Sequence, residues 1–358
     1  MGNKSLSSIL LPAIIAAAFL IGGCGDDGPI GPDVPKDYVV YFQTTGSPYN
    51  LRSYHILSGK IDSFPVQIPS TGNIAVSPDG SRLYITAGSQ TQVLETQTFT
   101  TVATIPYGSQ WKYGGVVASP DGRWLAIYGY GLVVLDARNY SVMYQDTGDM
   151  INGVSSPDSR YFMAGGGPPS AEYVYQLDLR QPPYSVVRKA FPGWVWKVIP
   201  SPDNLRWYIY ATVGEFAANL YVYDVASDSV LHTQGLGAGY GDMCLSLDAT
   251  ILFFCSPGNG LVGPPNPSAF YAYNTISNKV TETIKTDSLV NQFGDTISQG
   301  NQLFSETPDG RNLIVVGGMR NYGSPGFVLF DVDKMAISKC IYLAQQARIS
   351  KVTCQDGL

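Results

Sequence analysis

The residues Ser-Pro-Asp-Gly stand at 77–80 and again at 119–122. Degenerate copies follow as SPDS from 156, SPDN from 201, SLDA from 246, TPDG from 307 and CQDG from 354. Proline pre-sets the first central position of a tight turn, Asp offers its carboxylate to the N–H groups of the turn, and a small or αL-tolerant residue takes the exit. Each copy therefore marks a hairpin, and the seven Asp residues are structural in this reading rather than catalytic. GNIAV before the first copy and RLYITAG after it are the two strands such a turn joins.

Two more strands follow each hairpin. QVLETQTFTTVATI at 92–105 reads as strand, turn, strand, and the pattern returns as GLVVLDARNYSVMYQ, YVYQLDLRQPPYSVVRK, YVYDVASDSVLHTQ, FYAYNTISNKVTETI and FVLFDVDKMAISKCI. Four strands per unit of roughly 40 to 60 residues build a β-propeller blade, whereas a solenoid of that period uses one or two elements per repeat. The 39 glycines and 24 prolines in 358 residues suit many short strands better than long helices. The expected fold is all-β, a seven-bladed propeller spanning residues 37–358.

The stretch NIAVSPDGSRLYITAGSQTQVLETQTFTTVATIPYG resembles the YVTN-type repeat of bacterial seven-bladed propellers. It has the SPDG turn, an acid ending the third strand (Glu95 here; Asp136, Asp178, Asp224 and Asp331 in other blades) and a closing VATIP. The resemblance runs over 37–358, strongest in the second and third blades and weakest in the sixth. It implies an architecture and leaves the task open, since one propeller serves many.

The two ends complete each other. YVVYFQTTGSPYNLRSYHILSGKIDSFPVQI supplies only three strands, with no SPDG-like turn before Tyr38, while RISKVTCQDG at 348–357 matches TGNIAVSPDG in length and in its final turn. The C-terminus should therefore provide the innermost strand of blade 1, closing the ring and covering its sheet edges.

Ahead of the propeller, MGNKSLSSILLPAIIAAAFLIGGCG carries one cation, Lys4, then an apolar run from Ile9 to Ile21 and small residues. That is a signal segment, too short for a spanning helix. Ile21-Gly22-Gly23-Cys24 resembles the lipobox of bacterial lipoproteins, which implies cleavage before Cys24 and lipid attachment to its thiol. An ordinary secretory signal cut near Ala16 to Ala18 is the alternative. Residues 24–36, rich in Gly, Pro and Asp, read as a tether. The expectation is residence in the cell envelope, held to a membrane by the lipid alone.

Chemistry is sparse. The formal net charge of −6 offers no basic surface for a phosphate backbone, so nucleic acid is not an expected partner. The only two histidines, His55 and His232, fall by register on the third strand of blade 1 and the fourth of blade 5, far from the axis, which argues against a histidine-based triad or metal site in the channel. Cys244, Cys255, Cys340 and Cys354 show no C-x-x-C spacing. Cys244 and Cys255 lie on paired strands of blade 6, where a local disulfide is open to them. GNGLVG at 258–263 fits G-x-G-x-x-G, but PPNPS follows where a dinucleotide site needs a helix, so it reads as a loop. No catalytic residue, metal or cofactor is expected.

The loops leading into the inner strands and those between second and third strands should gather on one face around the channel. They carry Trp111, Tyr113, Trp194, Trp196, Tyr240, Asp242 and Phe293, and the C-terminal strand adds Arg348. Aromatic rings beside a few polar groups suit a protein, peptide or glycan. The competing reading is that these rings wedge between blades. The leading expectation is a lipid-anchored, non-enzymatic interaction module; a propeller enzyme of the lactonase or quinoprotein type, or a structural surface protein, are the alternatives.

Overall fold

A computed structural model describes residues 37–45, 50–67, 72–107, 114–166, 172–214, 217–238, 241–256, 269–285, 303–316, 326–342 and 348–356. They form 28 strands in seven four-stranded antiparallel sheets. Six sheets are simple meanders in chain order, as in blade 5: Trp194–Pro200, Arg206–Val213, Ala217–Asp224 and Ser229–Ala238.

Blade 1 is the exception, as its three N-terminal strands require. Arg348–Asp356 pairs antiparallel with Tyr38–Thr45, from Tyr38↔Asp356 to Thr45↔Arg348, and becomes the innermost strand. The inner strands Arg348–Asp356, Ile74–Val76, Gly115–Ala118, Met150–Ser155, Trp194–Pro200, Met243–Leu245 and Leu303–Glu306 touch one another in that order, and the last returns to the first. The molecule is a closed seven-bladed β-propeller.

Its core is seven seams rather than one centre. Because side chains alternate across a strand, each second strand feeds two seams at once. Val39 and Tyr41 pack against Leu83 and Ile85 of blade 2, while Val40 and Phe42 pack against Ile314 and Phe327 of blade 7. Leu252 and Phe254 likewise face blade 5, and Phe253 faces blade 7. With both sheet faces covered, the second and third strands read as continuous apolar runs. Each fully buried side chain of this kind contributes about 1.5–3 kcal/mol.

The repeated phrase closes as its chemistry demands. In blade 2, Ser77 Oγ donates to Asp79 Oδ1 at 2.5 Å, Ser81 N donates to the same oxygen at 3.0 Å, and Arg82 N donates to Ser77 Oγ at 2.9 Å. Blades 3 to 7 repeat this with Asp121, Asp158, Asp203, Asp248 and Asp309. The exit residues, including the non-glycines Ser159, Asn204 and Ala249, sit at φ between 57° and 70°. The turns also bridge blades: Trp124 Nε1 donates to Ser159 O at 2.8 Å, and Asn204 Nδ2 to Asp158 Oδ2 at 2.9 Å. The CQDG turn ends outside the described residues.

Blade 6 does not hold a disulfide between Cys244 and Cys255, and both keep their thiols. Cys244 stands opposite Phe253, and Cys255 N bonds Asp242 O, so the cysteines are diagonal rather than facing. Diagonal Cα atoms lie about 7–8 Å apart. A disulfide spans about 4.4–6.8 Å. His55 ends the third strand of blade 1 between Asp37 and Asp62, at 3.6 and 3.5 Å, and His232 lies on the fourth strand of blade 5 against Tyr273 of blade 6. Among the described residues no three His, Cys, Asp or Glu side chains could hold a metal ion. GNGLVG lies outside them.

Candidate functional site: the channel mouth at blades 4 to 6

Each inner strand runs from the channel mouth to its turn. The residue four places before the Ser or Thr of the turn therefore marks one level of the channel: Asn73, Gly115, Asn152, Lys197, Asp242 and Leu303 in blades 2 to 7. Polar side chains concentrate there on blades 4, 5 and 6. Two of these strands are irregular at this level. The register shifts between Ile151 and Val154 in blade 4, and between Val195 and Lys197 in blade 5. Such bulges re-aim side chains, and Asn152 reaches its position at φ 50°.

The three polar groups tie neighbouring blades together. Asn152 Nδ2 donates to Trp196 O at 2.7 Å. Lys197 Nζ forms an ion pair with Asp242 Oδ1, with the side chains 17% and 20% exposed. Asp242 Oδ1 also accepts from Met243 N at 2.9 Å, and Asn73 Oδ1 accepts in the same way from Ile74 N at 2.9 Å.

Opposite Gly115 and Lys197 on the second strands stand two tyrosines, Tyr128 and Tyr210, each reaching the next blade. Tyr128 has a backbone hydrogen bond with Gly153, and Tyr210 one with Gly241. Burial pushes both hydroxyls well above their usual range, and the Asp242 charge adds to the effect on Tyr128. Neither can act as a base near neutral pH. Tyr128 fits because Gly115 and Gly153 lack Cβ atoms: one on Gly115 would stand 2.1 Å from its ring, and one on Gly153 2.8 Å.

The aromatic edge of the mouth is Trp194 and Trp196. Gly193, at φ 84° against Thr212 O, turns the chain into the strand. Trp194 is 45% exposed, while Trp196 is half-buried and donates from Nε1 to Thr212 Oγ1 at 3.0 Å. The ring centres are 6.2 Å apart with planes 55° apart. The half-exposed indole, the exposed Asn152 amide and the Lys197–Asp242 pair offer an apolar face together with donors and acceptors.

Of the residues singled out from sequence, Trp194 and Trp196 share the inner strand of blade 5, Asp242 pairs with Lys197 of that strand, and Arg348 opens the inner strand of blade 1 opposite Thr45. Cys24, Trp111, Tyr113, Tyr240 and Phe293 lie outside the described residues. Asn152 and Lys197 escaped the sequence reading. A lone lysine inside the apolar run WVWKVIP, and Asn-Gly inside a strand, were the available signals.

No protein-family model and no curated protein sequence matches the chain. Solved structures do. Hydrazine synthase of Kuenenia stuttgartiensis superposes with a TM-score of 0.62 at 18% identity, over 78% of this chain and 88% of that one. A functionally unknown protein of Desulfotomaculum acetoxidans superposes at 0.65 and 11%, over 90% and 100%. The dihydro-heme d1 dehydrogenase NirN in complex with DHE superposes at 0.55 and 13%, over 90% and 77%. The chain shares their fold. At these identities the likeness extends no further.

Proposed function

We propose that this chain is an exported propeller of the YVTN-repeat type, anchored through Cys24, whose channel mouth at blades 4 to 6 binds a protein, peptide or glycan without catalysis. One observation carries the reading: a half-exposed tryptophan, an exposed amide and a sheltered acid–base pair at the mouth ends of three adjacent blades, 4 to 6, of which the inner strands of blades 4 and 5 bulge there. An indole that spends its surface on a partner rather than on a seam is the usual centre of a binding patch. The pair and amide supply directional bonds for hydroxyl or peptide groups.

The test is a panel of envelope glycans and peptides presented to the purified chain. Trp194→Ala combined with Asn152→Ala should lower binding of any retained ligand by about tenfold or more while leaving the melting temperature close to wild type. A double variant that binds as well as the parent moves the surface elsewhere and removes this assignment.

A further inference from the structure

The opposite ends of the inner strands, where the turns lie, are not equivalent around the ring. The second residue of the turn is Pro78, Pro120, Pro157, Pro202 and Pro308 in five blades, but Leu247 in blade 6, 67% exposed. Two places beyond the acid that ends the third strand, blades 3 and 4 have arginines that pair with that acid: Arg138 with Asp136 at 2.6 Å and Arg180 with Asp178 at 2.9 Å. Blade 6 has Asn274 for the acid and Ile276 for the arginine, and Ile276 is 76% exposed. The third departure is in blade 5, where an exposed Leu205 takes a turn position held by Arg123, Arg160 and Arg311 elsewhere.

These departures adjoin one another. Arg206, next to Leu205, donates from Nη1 to Thr275 O at 3.4 Å, and Thr275 Oγ1 donates to Ala249 O in the Leu247 turn at 2.7 Å. Leu247 in turn lines a cleft of about 590 Å³ between blades 6 and 7, with Ile251, Val332 and Met335 as its apolar wall. The rim carries Asp248, Asp309 and Asp333 against the single cation Arg311. Hydrogen bonds within the turns hold Asp248 and Asp309 below the usual carboxylate range despite partial burial, so the rim stays anionic at neutral pH.

We infer that the turn face of blades 6 and 7 is a second docking surface, which takes a polypeptide segment presenting an apolar side chain next to a lysine or arginine. The volume is that of an ordinary ligand pocket. Leu247 supplies an apolar seat at the cleft where five other blades present proline, and Ile276 stands exposed next to Thr275, which bonds the Leu247 turn, where blades 3 and 4 carry arginine. The acidic rim complements a cation and repels anionic lipid headgroups, which makes a membrane surface the poorer occupant.

The experiment selects a displayed random-peptide library on the full chain and measures binding of the enriched peptides. Peptides pairing an apolar residue with Lys or Arg are expected, with affinity reduced about tenfold or more by Leu247→Pro and several-fold by Asp333→Asn. Leu247→Pro introduces the residue that five other turns use, and its melting temperature checks that the fold is retained; Ile276→Ser provides a second variant with the same expected loss. Trp194→Ala should leave these peptides bound, which separates this surface from the channel mouth. No enriched class, or peptides indifferent to Leu247→Pro, Ile276→Ser and Asp333→Asn, would overturn the inference. So would Leu247-dependent binding of phosphatidylcholine vesicles.

Discussion

Lys197 of blade 5 and Asp242 of blade 6 each stand four places before the serine of their turn, and their ion pair spans the seam between the two blades. Both are largely sheltered. Removing one partner leaves a desolvated charge without its complement, whereas removing both does not. Lys197→Met should therefore destabilise by about 1–3 kcal/mol, and Lys197→Met with Asp242→Leu by less than the sum of the single changes. A double-mutant cycle in urea measures this, and additive single changes would mean that the pair contributes nothing.

The two tryptophans at opposite ends of the exposure scale should separate sharply. Trp124 is 1% exposed and donates to Ser159 across the seam, so Trp124→Ala should cost about 3–5 kcal/mol. Trp194→Ala should cost less than about 1 kcal/mol, since much of its ring already faces water. Thermal melts decide; comparable losses would turn Trp194 into a packing residue.

Deleting residues 349–358 removes the strand that joins the chain's ends. The second strand of blade 1 would lose its inner neighbour, and the inner strands of blades 2 and 7 their contacts across the closure. Insoluble protein or a melting temperature lower by more than about 10 °C is expected, given that 1 kcal/mol corresponds to roughly 2–4 °C for larger domains. A truncated chain as stable as the parent would show that closure is dispensable.

Acid should loosen the turns. Hydrogen bonds from Ser77, Ser201 and Ser246 are the first cause holding Asp79, Asp203 and Asp248 below their ordinary value of 3.8. Because the folded-state values are depressed, this stabilisation is present above 3.8 and disappears as the pH falls through the lower folded values. Melting temperature should be level above about pH 5 and decline below about pH 4. Changing the three residues to Asn should lower the plateau and flatten the acid limb; an unchanged acid limb would assign the decline to other carboxylates.

Under the proposed anchoring, Cys24→Ser should release the protein from the membrane fraction, since a diacylglyceryl group stabilises attachment by about 0.8 kcal/mol per buried methylene and has no thiol to attach to in the variant. Incorporation of a fatty-acid analogue into the parent and not the variant is the matching measurement. Sedimentation of the variant with membranes would remove the lipobox reading.

The turns, the blade count and the ring closure were all legible in the residues of the chain. Ser77, Asp79 and Gly80 act on one another within five residues, so their chemistry is local and repeats wherever the phrase repeats. The closure was equally legible, because a three-stranded first blade and a spare C-terminal strand of matching length leave one arrangement. Tertiary structure alone decided the mouth. Asn152 meets Trp196 O where a bulge shifts the inner strand of blade 4 by a residue, and Lys197 meets Asp242 because the packing of the blades brings two separate inner strands level. The same kind of register detail kept Cys244 and Cys255 diagonal. An alternating pattern names which face a side chain takes, but a shift of one residue reverses that face, and the energy that selects the shift comes from the neighbouring blade.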